Sequence, residues 1–107
     1  MSGAHCYIRI LCAKQIVSDK SFNSIFTVTV LQHIVDTRER KRILREFRRL
    51  LSDKGVLLSI EWAEGQRNLD WCTAVGKSEL KRWFNVASSG EVVESGRRHT
   101  IGVCTSL

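Results

Sequence analysis

Two apolar runs joined by an amphipathic segment constrain this chain more than any other feature. Residues 24–30 (Ser-Ile-Phe-Thr-Val-Thr-Val) are apolar or β-branched at nearly every position. Such a run suits a parallel strand covered on both faces, whereas a half-solvated strand alternates. Residues 56–62, beginning Val56-Leu57-Leu58, repeat the pattern. Between them Ile43, Leu44, Phe47, Leu50 and Leu51 recur at helical spacing. Asp36-Thr37-Arg38-Glu39 offers a side-chain acceptor followed three residues later by Glu, a helix-starting capping box. The spacing therefore predicts a helix from Asp36 to about Leu51. Asp53-Lys54-Gly55 should stop it, with Gly55 in the left-handed position.

Other elements follow from local pattern. Residues 7–12 read as a strand and residues 63–76 as a loop. Residues 78–84 read as a short helix, and residues 91–105 as a terminal hairpin, with Glu91–Glu94, then Gly96-Arg97-Arg98, then His99–Thr105. The order strand, strand, helix, strand, helix, hairpin is that of an α/β domain with a mostly parallel sheet and one reversed strand.

Counts bound the function classes. At 107 residues the chain has room for one domain. No apolar run approaches the ~20 residues of a membrane-spanning helix. The first residues lack the basic-then-apolar layout of a signal peptide, so a soluble, cytoplasmic protein with no membrane partner is expected. Cys6, Cys12, Cys72 and Cys104 form no C-x-x-C pair, so no zinc site is expected and the cysteines read as buried free thiols. Lys and Arg total 17 against 11 Asp and Glu, a net charge of +6. Seven of the cations crowd residues 38–49. Arg38, Arg42, Arg45 and Arg49 share a helical face, which reads first as a solvated face and second as a track for phosphates.

Read together, the segments resemble the later part of a class I S-adenosylmethionine-dependent methyltransferase. Residues 21–34, Ser-Phe-Asn, then apolar residues, then Val30-Leu31-Gln32-His33, are similar to the family's fourth-strand motif. Residues 52–61 are similar to its turn and fifth strand, Cys12-Ala13-Lys14-Gln15-Ile16-Val17 to a segment after the third strand, and Ser78-Glu79-Leu80 through Phe84 to a late helix. Asn23 stands where the family has Asp, Val17 where it has Pro, and Asp53-Lys54 where it has Pro-Gly. The resemblance implies a partial Rossmann-like sheet. It also implies a domain over residues 1–107 that lacks the first two strands and the glycine-rich cofactor turn, because Gly3 is the only glycine before Gly55.

By the same resemblance S-adenosylmethionine is the cofactor. Cys12, Ala13, Thr27, Val28, Thr29, Leu31 and Gln32 would border it, with His33 beside the transferred methyl. From its position His33 reads either as a local cap of the strand end or as the base near that rim, and Glu61, at the end of a buried strand, either contacts substrate together with Trp62 or meets solvent at the strand mouth. Trp62 and Trp71 read first as core or lid aromatics and second as stacking platforms. Thr37-x-Glu39-Arg40 and Trp62-Ala63-x-x-Gln66 resemble the branch that methylates modified wobble uridines, which implies a tRNA acceptor; a small molecule is the other. Half a pocket implies incomplete cofactor binding by this chain alone. A non-catalytic partner subunit and a basic nucleic-acid-binding module fit the same residues. With its neighbours missing, the edge of residues 24–30 is expected to take up residues 7–12, a second copy or a complementing chain.

Overall fold

The computed structural model describes residues 17–107. The expected strand at residues 7–12, together with Cys6, Cys12 and Ala13, lies outside the described residues.

Strand β1 (Phe22–Val28) leads through a 3-10 turn (Leu31–His33) into helix α1 (Thr37–Leu50). Strand β2 (Leu51–Trp62) follows, then the short helix α2 (Lys77–Lys81), strand β3 (Asn85–Glu94) and strand β4 (Arg97–Thr105). The sheet order is β1-β2-β4-β3. β1 and β2 pair in parallel, while β4 pairs antiparallel with β2 on one side and β3 on the other. The reversed strand is therefore present, inserted between two strands that run the opposite way. Among the described residues one ladder is parallel and two are antiparallel, because β4 returns through a hairpin into the middle of the sheet, so the sheet is mixed rather than mostly parallel.

Helix α1 starts as its sequence dictates. Asp36 is extended and its carboxylate accepts from the N–H groups of Arg38 and Glu39, satisfying two donors that the first turn leaves unpaired. The expected stop is different. Leu51 ends the helix and begins β2 directly, so Asp53-Lys54-Gly55 lies within the strand and Gly55 has no left-handed backbone. The extra residues are absorbed as a wide irregularity: Phe22 pairs with Leu51, but Ser24 already pairs with Val56. The Ser52 hydroxyl donates to Asn23 Oδ1 across this gap (3.0 Å).

Ile43, Leu44, Phe47 and Leu50 of α1 meet Leu57 of β2, Cys104 of β4, and Leu80 and Phe84 around α2 in one core. Cys72 and Cys104 are free and buried. On the sheet's other face Phe26, Val28 and Val56 are 66%, 42% and 37% exposed. The β3–β4 hairpin closes on Ser95-Gly96, both at positive φ (51° and 74°), the backbone of a twist-matched two-residue turn. β3 begins at Asn85, six residues before the sequence pattern placed it.

Of the helical face expected to be solvated, Arg38, Arg42 and Arg45 are exposed and Arg49 is half-buried. Arg40 is buried, and Arg49 bonds Asp19, Glu46 and the Val17 carbonyl. Arg38, Lys41, Arg42, Arg45 and Arg48 are exposed; Arg42 pairs with Glu39, and Arg45 lies over the Trp83 ring.

Candidate functional site

β1 and β2 end side by side, and the carboxyl ends of parallel strands are where an α/β sheet leaves a crevice for ligands. Thr29 terminates β1 at φ 52°, a left-handed backbone unusual for a β-branched residue, and its N–H still donates to the Ile60 carbonyl at 2.8 Å. The chain thus turns sharply off the sheet into the 3-10 turn.

Glu61 holds that turn. Its side chain is fully buried at the end of β2. One carboxylate oxygen accepts from the Thr27 hydroxyl and from the N–H groups of Val30 and Leu31, both at 3.3 Å; the other accepts from Gln32 N–H at 3.2 Å. A 3-10 turn leaves its first N–H groups without backbone partners, and the carboxylate takes them. Burial pushes this carboxyl up to about 7, against the opposing pull of the hydrogen bonds from Thr27, Gln32, Leu31 and Val30.

Gln32 extends the bracing. Its side-chain oxygen accepts from Trp62 N–H (2.8 Å), and its carbonyl accepts from Thr73 N–H (2.8 Å). Arg40 closes the far side. Its guanidinium donates to the carbonyls of Ile34 (2.9 Å) and Ala74 (3.0 Å) and to the Thr73 hydroxyl, and pairs with Glu79 at 3.0 Å. The loop between β2 and α2 is therefore fixed to both the 3-10 turn and α1.

The candidate residues separate into two groups. Leu31, Gln32, Thr27 and Glu61 point inward and build the rim. Val28 and His33 are exposed, and Thr29 is half-buried, so these present surface at it. The His33 ring stacks on Trp71, with centroids 5.9 Å apart and planes within 8°. Trp62 is buried and tilted against Trp71 at 6.5 Å, with the Arg97 guanidinium 4.3 Å over its ring. Trp71 itself is 61% exposed.

Sequence pattern alone missed Arg40 and Arg97. Arg40 sits in a run of cations with nothing local to mark it as the buried one. Arg97 reaches Trp62 only through the β2–β4 register, in which Trp62 pairs with His99. Among the described residues no cluster of His, Cys, Asp or Glu has the geometry to hold a metal ion, and no helix is long and apolar enough to cross a membrane.

Solved structures share this fold. A SAM-dependent methyltransferase from Methanosarcina mazei superposes with a TM-score of 0.64 at 15% identity, over 85% of this chain and 62% of that one. The fold is a partial methyltransferase-like fold. The PH0226 protein from Pyrococcus horikoshii matches with a TM-score of 0.61 at 15% identity, over 84% of this chain and 54% of its own. The (4+2)-cyclase SpnF matches at 0.62 and 12% identity, over 82% of this chain and 50% of its own. The chain thus spans about half to three fifths of the length of these structures. That one of them is described as a cyclase shows that the fold hosts more than one chemistry. No protein-family model matches the chain, and no curated protein does.

Proposed function

We propose that this chain supplies the acceptor-side half of an S-adenosylmethionine-dependent methyl-transfer site. The observation that carries the reading is the rim itself: a strand ending in a left-handed Thr29, followed by a 3-10 turn locked by the buried Glu61, on a sheet that superposes on a SAM-dependent methyltransferase. The cofactor supplies an electrophilic methyl group on a sulfonium. Transfer of that group needs positioning above all, and a braced turn meets that need.

The exposed Val28 and half-buried Thr29 would border one flank of such a cofactor. Val28 and Thr29 offer surface, while Thr27, Leu31 and Gln32 hold the turn from behind. His33 is exposed at the same rim, within reach of an entering acceptor whose proton must be removed. The glycine-rich turn that the resemblance calls for is not among these 107 residues, so binding by the chain alone is expected to be weak. Calorimetric titration with S-adenosylmethionine tests this. Saturable millimolar-range binding that weakens in Thr29→Trp supports it; absence of any heat of binding favours a non-catalytic partner subunit instead.

The β1 edge supports self-association. Among the described residues β1 is laddered on one side only, its seven residues carry no charge, and Phe26 and Val28 stand exposed on it. Edges of this kind pair with another strand unless they are protected. A second copy of the chain is the partner proposed here.

A further inference from the structure

Trp71 is a large aromatic side chain held in solvent by an ordered loop, which core packing does not explain. Leu69 and Cys72 exchange backbone hydrogen bonds (2.8 and 3.2 Å), so Trp71 sits at the tip of a closed bridge. Ala74 N–H donates to Asn68 Oδ1 (2.9 Å), Thr73 N–H to the Gln32 carbonyl, and His33 Nδ1 lies 3.4 Å from the Trp71 carbonyl. The neighbouring Cys72 and Val75 are fully buried anchors. With its backbone so fixed, the indole keeps 61% of its surface exposed while lying parallel to the exposed His33 ring. A rigid, preorganised aromatic stack binds a further planar ring at little conformational cost.

Charge around the stack is mixed, and its arrangement selects the ligand. Asp70 is adjacent, so the ring position itself does not favour an anion. Cations lie further out. Arg97 covers Trp62 and donates to the Arg67 carbonyl at 2.9 Å. Across Arg40, which ties Thr73 to Glu79, the cleft between α1 and α2 presents Lys41 and Arg82. A neutral ring flanked by phosphates matches this layout.

We propose that His33 and Trp71 form a stacking platform for a nucleobase, with the outlying cations taking the attached phosphate. The inference deepens the methyl-transfer reading by naming the acceptor class, and it rests on that reading only for the step that follows binding.

The test leaves the cofactor out. The full chain is titrated at low salt with cytidine 5′-monophosphate and with a cytidine tetranucleotide, following tryptophan emission. Saturable quenching is expected. Because Trp71 is itself the reporter, the variants' affinities are read by calorimetry: Trp71→Ala should weaken binding by about tenfold or more, with Trp71→Phe retaining most of the affinity. The exposed position makes the thermal midpoint of Trp71→Ala equal to that of the parent, which is measured alongside. Equal affinity for the two ligands identifies a free nucleotide as the source of the ring; clearly tighter tetranucleotide binding identifies a strand. The proposal is overturned if neither ligand quenches, or if Trp71→Ala binds the tetranucleotide like the parent, since the attraction is then of charge alone. Failure of S-adenosylmethionine to bind leaves this outcome untouched.

Discussion

Glu61 and Thr29 are the residues on which the rim turns, and they act in opposite senses. The carboxyl of Glu61 is raised from an ordinary 4.5 to about 7, so the folded state binds the proton more tightly than the unfolded one. Its effect on stability is therefore most favourable below the unfolded value and is lost as pH rises through the folded one, by on the order of a few kcal/mol. Urea denaturation from pH 4.5 to 7.5 should show this decline, and Glu61→Gln should flatten it. Glu61→Leu removes the acceptor for three N–H groups and a hydroxyl, and should cost about 3 kcal/mol or more at any pH. Thr29 is strained at φ 52°. Thr29→Gly should stabilise the fold by up to about 1 kcal/mol, seen as a raised urea midpoint. A drop in midpoint would show that the Thr29 hydroxyl bond to the Val28 carbonyl outweighs the strain.

At the scale of elements, helix α1 is well specified at one end and not at the other. Asp36 with Glu39 announces the start, and the bonds from Arg38 and Glu39 N–H to Asp36 are the ones such a signal describes. Asp36→Ala should cost about 1 kcal/mol in chemical denaturation. The stop signal at Asp53-Lys54-Gly55 fails because a glycine only permits a left-handed turn. The apolar side chains of Leu50 and Leu51 are both buried, and they commit the chain to the sheet before the glycine is reached. Arg40 is likewise invisible to a helical-wheel reading. Its burial follows from two loop carbonyls and Glu79, all more than thirty residues away.

At the scale of the whole molecule, the proposed association runs through β1, which among the described residues is paired on one side only. Sedimentation at tens of micromolar should give a dimer. Phe26→Lys, which places a charge on the apolar edge strand, should return it to monomer without loss of helical signal. A monomeric mass for the parent chain counts against pairing through β1.

The elements were legible because their signals are local. Apolar runs gave β1 and the later part of β2, heptad-like spacing with a cap gave α1, and the pattern over residues 91–105 gave the hairpin. The order of these pieces, with the quoted motifs, was enough to suggest the methyltransferase-like fold that the superpositions support. Only the tertiary structure decided that β4 enters between β2 and β3, because ladder pairing is a long-range contact with no local mark. It likewise turned Glu61 from a residue at a strand mouth into the buried brace of the next turn, and stacked His33 on Trp71, thirty-eight residues apart. Periodicity fixes which face a side chain occupies; which partner meets it there depends on how distant segments pack.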